Sequence, residues 1–280
     1  MAEWARRTSE SGRGERRRTR RTGPTGARVL SFRDSSRVSS ETMPEKVEDT
    51  IPAEGTGDGP LRNLRSYPTS QRAILVIRHG AREAKPPEGH SGPDSWLLTA
   101  QGRLDARRFG SRLPAYKHLC LIHSRVARTR ETALEIEAGF RASHSDSTVE
   151  LKGLEPAISL WNFYARDTAL LNQWKEKLGD DFCREWVLGH VPTSAIAPAD
   201  EAVRNFVGRL RSRVEQCPPS SLLIAVSHDV HISTMRDVLF RGSSGEWARV
   251  QYLEGILLTW NDPGQIVARW RDEIAPAFLG

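Results

Sequence analysis

Long apolar runs are absent from this chain of 280 residues. Its apolar stretches are strand-sized, far below the roughly 20 residues that a membrane-crossing helix needs. No span is expected, and a membrane is not among the expected partners. Cysteine is scarce: Cys120, Cys183 and Cys217 are odd in number and far apart. That argues against a disulfide framework and offers no metal-ligand spacing. A reducing interior is the simpler setting, so the expected location is cytoplasmic. The length suits one large α/β domain or two small ones, and no internal repeat is evident.

A basic excess is also missing from most of the chain. The formal net charge of +6 looks like a nucleic-acid signal, but residues 1–37 hold 11 arginines against 4 acids. The remainder holds 30 basic and 31 acidic residues. The folded part is therefore near neutral, and nucleic acid is expected as a partner only through the basic arm. Residues 1–68 have few apolar positions and no sustained periodicity, and read as a disordered Arg-rich extension. Residues 16–21 are a candidate contact for RNA, DNA or an acidic surface. The Arg and Ser content also suits organelle targeting, while the lack of an apolar core after the paired arginines argues against secretion. A third reading makes Met43 the natural start.

What is present is an α/β rhythm over residues 69–280. Residues 73–77 are continuous, apolar and partly β-branched, as in a buried parallel strand. Residues 83–95 read as a loop. A helix is expected over 103–113, ended by Pro114, then a strand over 119–122. A second helix is expected over 127–138, with Gly139 as its C-cap. Residues 150–196 read as a helical insert carrying Trp161, Tyr164, Trp174, Phe182 and Trp186. Beyond it come a helix over 199–214, a strand over 222–226 and a helix over 231–240. Strands over 255–260 and 265–270 are joined by the turn Asn261-Asp-Pro-Gly264. The expected fold is a three-layer α/β/α sandwich with a mostly parallel sheet and a helical insert near the site.

Two of these strands end in chemistry. The first runs into Arg78-His79-Gly80-Ala81-Arg82 and the second into Ser227-His228-Asp229. Ligands in open α/β sheets bind beyond the carboxyl ends of strands. A lone histidine there is usually a core residue; two histidines at the same end, with arginines, point to one basic pocket. Arg78 and Arg82 offer planar forks for phosphoryl oxygens. Neighbouring arginines favour neutral imidazole, the nucleophilic form. Asp229 has a plainer reading as a helix N-cap.

These residues resemble the histidine phosphatase superfamily, which includes phosphoglycerate-mutase-like proteins and histidine acid phosphatases. The Arg-His-Gly signature stands as Arg78-His79-Gly80, with Arg82 extending it and Ala84 where the acid-phosphatase branch has proline. A Leu-Thr-x-x-Gly element stands at 98–102, and Ser-x-x-x-Arg-x-x-x-Thr as Ser124, Arg128 and Thr132. His228-Asp229 matches the His-Asp pair of the acid-phosphatase branch, which usually has Asn where this chain has His231. The resemblance covers roughly residues 72–270. It implies a phosphomonoesterase in which His79 becomes phosphorylated. Arg78, Arg82, Arg128 and His228 would hold the phosphoryl oxygens, with Asp229 as general acid and base.

His231 is a candidate for supporting the site or contacting substrate. Glu83 and Glu88 are reserve acids in the loop after the nucleophile. Trp161 and Tyr164 are candidates for stacking on a ring-bearing substrate. No cofactor and no metal is implied, because the arginines oppose a cation. The expected partner is a small phosphorylated molecule, and no oligomeric state is implied. Alternative functions are a mutase-like phosphotransferase and a non-catalytic phosphate-ester binding protein.

Overall fold

The computed structural model describes residues 56–85, 88–89, 93–153, 164–240, 250–262 and 265–277. Three continuous apolar runs form its central strands: β1 (Ala73–Arg78), β2 (His118–His123) and β4 (Ser221–Ser227). Successive side chains point to opposite faces of a strand. Ile74 and Val76 therefore enter one core with Cys120, Ile122, Leu223 and Ala225. Leu75 and Ile77 enter the other with Leu119, Leu121, Ile224 and Val226. A sheet covered on both faces demands apolar residues at every position, which is why these runs do not alternate.

The covering layers follow from the helices. On one face lie α1 (Asp58–Arg65), α2 (Ala100–Ser111) and α3 (Ala127–Ser143), which contribute Leu61, Leu64, Phe109, Ile136 and Phe140. On the other lie α4 (Thr168–Leu178), α5 (Phe182–Val187), α6 (Ala199–Glu215) and α7 (Asp229–Leu239). Their buried positions include Leu171, Trp186, Phe206, Leu210, Ile232 and Met235. The fold is a three-layer α/β/α sandwich.

The sheet is mixed rather than mostly parallel. With β3 (Thr148–Gly153), β5 (Gly255–Asp262), β6 (Gln265–Trp270) and β7 (Glu273–Ala277), its order is β3-β2-β4-β1-β5-β6-β7. The first four strands are parallel; β5, β6 and β7 pair antiparallel. Tight joins account for part of this: Arg271 and Asp272 alone link β6 to β7, with Arg271 in the left-handed region at φ 50. Strand β5 runs antiparallel to β1 although α7 precedes it.

Several boundaries differ from expectation. Structure begins before residue 69: α1 buries Leu61 and Leu64 completely, so the extension does not run unstructured to residue 68. Residues 1–55 lie outside the described residues, as do the expectations placed on them. The insert begins in β3, not in helix. Helix α2 starts at Ala100 because Thr99 caps it, its side chain accepting the Gly102 N–H.

Gly139 is not a C-cap. It lies inside α3, where a Cβ would sit 2.0 Å from the Arg107 carbonyl oxygen of α2. Gly110 of α2 meets the Ile136 carbonyl in the same way, at 2.2 Å. The two glycines let α2 and α3 touch backbone to backbone.

Candidate active site

Three adjacent parallel strands end on the same edge of the sheet. Arg78 pairs in register with Ser227, and His123 with Val226. The chain leaves β1 into His79, β2 into Ser124 and β4 into His228. His79 N–H donates to the Ser227 carbonyl at 3.1 Å, so the two histidine-bearing ends are bonded together. The imidazole centroids of His79 and His228 stand 5.5 Å apart.

The motifs act as a clamp on this edge. A Cβ on Gly102 would lie 2.1 Å from the Ala81 carbonyl oxygen, and Thr99 N–H donates to that same oxygen at 3.0 Å. The first turn of α2 thus packs directly on the loop after His79. Thr132 accepts the Gly80 N–H at 3.0 Å and donates to the Arg128 carbonyl at 2.7 Å. That loop is therefore held by helices on both sides.

Hydrogen bonds fix both histidine tautomers. A guanidinium only donates. Arg128 Nε donates to His79 Nε2 at 2.9 Å, so His79 carries its proton on Nδ1, which donates to the Gly80 carbonyl at 2.8 Å. Arg128 Nη2 donates to His228 Nδ1 at 3.3 Å. His228 Nε2 then donates to Ser124 Oγ at 2.9 Å, and Ser124 passes its proton toward Thr129 Oγ1 at 2.8 Å. Thr129 donates to the Val126 carbonyl at 2.7 Å, and there the chain ends.

Electrostatics reinforce the neutral state. Burial first, then Arg128, holds His79 down to about 3. His228 is held well below the usual histidine value by burial, then by His231 and His79. Burial and Arg82 bring Arg128 down to about 10, so it remains a cation at neutral pH.

Arg78 is 5% exposed. Its Nη1 donates to the Val250 carbonyl at 2.6 Å, and its Nη2 meets Asp229 Oδ2 at 3.2 Å. Its Nε is buried with no hydrogen-bond partner among the described residues. Asp229 is the first residue of α7, with a side chain 40% exposed. Its Oδ1 accepts the Val230 N–H at 2.9 Å. The N-cap position belongs to His228, so the plainer reading of Asp229 does not hold. Arg82 stacks on Trp96, its Cζ 3.7 Å from the ring centroid.

The structure therefore brings together Arg78, His79, Arg128, His228 and Asp229, with Arg82 close enough to act on Arg128. His231 packs behind His228 at 5.7 Å between ring centroids, and its Nδ1 bonds Ser227 Oγ at 2.6 Å. It is 2% exposed. Tyr164 is buried too. Its ring meets His231 at 5.4 Å and its hydroxyl accepts from Lys175 at 3.3 Å. Glu83 is exposed and joins the loop through its backbone, donating to the Leu97 carbonyl at 2.9 Å. Glu88 is exposed as well. Trp161 lies outside the described residues.

One neighbour was absent from the sequence reading. Tyr252, three residues before β5, places its ring 4.2 Å from Arg78 Cζ and 5.9 Å from the His79 ring. It belongs to no motif and lies far from both in sequence, so no local signal reveals it.

Among the described residues, no group of three or more His, Cys, Asp or Glu is arranged to hold a metal, and no helix is long and apolar enough to cross a membrane. Three guanidinium groups and neutral histidines suit an oxyanion.

No match to a curated protein was found. Among solved structures, the chain is similar to a mycobacterial glucosyl-3-phosphoglycerate phosphatase at 16% identity and a TM-score of 0.45, over 71% of this chain and 98% of that one. It is also similar to a phosphoserine phosphatase from Entamoeba histolytica at 16% identity and a TM-score of 0.46, over 73% and 97%. Likenesses this distant say nothing about substrate. The family profile described as the histidine phosphatase superfamily (branch 1) matches residues 74–273. With that match over most of its length, the chain belongs to that superfamily.

Proposed function

We propose that this protein is a phosphomonoesterase that hydrolyses a small phosphorylated metabolite through a phosphohistidine on His79. The observation that carries the reading is the His79 tautomer. Its Nδ1 proton is committed to the Gly80 carbonyl, and its Nε2 lone pair faces Arg128. A neutral, oriented imidazole beside cations is what attack on phosphorus requires.

The steps follow from the neighbours. A phosphoryl oxygen takes over the Arg128 N–H and frees the Nε2 lone pair. Nε2 attacks phosphorus as the bond to the leaving oxygen breaks. Asp229, beside Arg78, supplies a proton to that oxygen. Water then attacks the phosphohistidine, gives its proton to Asp229, and phosphate departs with His79 neutral again. Arg78, Arg82, Arg128 and His228 hold the equatorial oxygens and neutralise their charge in the transition state. The catalytic unit includes α1 and starts before residue 69.

The test is phosphate release from a broad panel of phosphomonoesters, wild type against His79→Ala, with and without a chelator. We expect wild-type release, loss of at least about a thousandfold in His79→Ala, and no effect of the chelator. Activator-dependent isomerisation without release would make the protein a mutase. Binding without turnover by the wild type would make it a phosphate-ester binding protein.

A further inference from the structure

We infer that Tyr252 is a positioning residue for phosphoryl transfer: its ring sets the plane of the Arg78 guanidinium beside His79. The inference rests on the phosphatase reading and extends it to a residue outside every motif.

Arg78 is held from several sides by one short segment. Val250 takes Nη1, the Arg78 N–H donates to the Glu254 carbonyl at 2.9 Å, and Leu253 N–H returns to the Arg78 carbonyl at 3.2 Å. Those contacts fix the backbone and the far edge of the side chain. Asp229 holds Nη2 at 3.2 Å, so these contacts all grip the rim of the guanidinium. The Tyr252 ring supports its face, lying 4.2 Å from Cζ.

The segment is built to hold the ring there. Leu253 adopts the left-handed region at φ 57, which an unbranched glycine would adopt without strain. Gly255 lets the same segment meet β1, since a Cβ there would lie 2.1 Å from the Val76 carbonyl oxygen. Arg78 Nε is the group whose direction depends on this arrangement. It is buried with no hydrogen-bond partner among the described residues, and a phosphoryl oxygen at the site would satisfy it. The Tyr252 ring is also 5.9 Å from the His79 ring, so one side chain aligns the nucleophile and the clamp.

The ring face carries this role, not the hydroxyl. Tyr252→Leu should lower kcat for p-nitrophenyl phosphate about tenfold with KM changed less than threefold. Tyr252→Phe should recover at least half of wild-type kcat. In an Arg78→Lys background, which has no guanidinium plane to set, Tyr252→Leu should cost less than a further twofold. Orthovanadate binding, followed by titration calorimetry, reads the same effect without turnover: Tyr252→Leu should weaken it about tenfold. Equal vanadate affinity in wild type and Tyr252→Leu would overturn the inference and leave the phosphatase reading standing. A wild type that neither turns over nor binds orthovanadate would overturn both. A loss in Tyr252→Leu that persists undiminished in the Arg78→Lys background would reduce the residue to packing.

Discussion

At the scale of single residues, the proposed chemistry rests on a neutral imidazole. His79 is held at about 3 by burial and by Arg128. An ordinary histidine would gain a proton near pH 6.5 and lose its nucleophilicity. Initial rates of ester hydrolysis should therefore show no acid limb from His79 between pH 7 and 5. A fall in kcat/KM with a midpoint near 6.5 would mean that imidazole is not protected in this way. Much of this was legible beforehand. Arginines in the same short run as a histidine announce both phosphate affinity and a suppressed histidine charge. Arg128 itself stands out only through its motif, because Arg125 and Arg130 beside it look the same in sequence. The fold separates them: Arg128 is 7% exposed, while the Arg125 side chain reaches solvent and pairs with Asp94 at 3.1 Å.

At the scale of elements, helix contact determines what a glycine does. Gly139→Ala would drive a methyl group into the Arg107 carbonyl and force α2 and α3 apart. The expected cost is about 2–3 kcal/mol, read as a lower midpoint in urea. Gly208, on α6, has open space beside it: among the described residues nothing would lie within 4 Å of an added Cβ. There the same substitution should stabilise by up to about 1 kcal/mol, because alanine favours helix. Equal effects at the two positions would contradict the packing. This contrast explains one misreading. Glycine after a run of helical residues usually ends the helix, and only the tertiary partner reveals that Gly139 serves a crossing. Elements with little burial were also hidden. Helix α1 buries only two apolar side chains completely, and β7 is a short edge strand that accommodates Pro276. The central strands were plain because every interior position in them is apolar.

At the scale of the whole molecule, the buried histidines around the site make stability depend on pH. His231 is held at about 3 by burial, then by Lys175, and His228 and His79 shift the same way. Between that value and the unfolded value near 6.5, the unfolded chain binds protons that the native state refuses. Stability is then complete above about pH 6.5 and falls as pH drops toward 3. Each such group contributes a slope of about 1.4 kcal/mol per pH unit inside that window. Urea unfolding from pH 6 to 4 should be shallower by that amount in His231→Gln. An unchanged slope would mean that His231 takes up its proton in the native state.

The hydrogen bonds of Arg128 have a consequence for how this site is to be dissected. One guanidinium donates to both histidines, so removing it releases two tautomers at once. Removing either histidine leaves part of that guanidinium without its acceptor. The three side chains therefore form a single energetic unit, and single-substitution losses within it will not sum. A rate factor assigned to Arg128 alone would count His79 and His228 a second time.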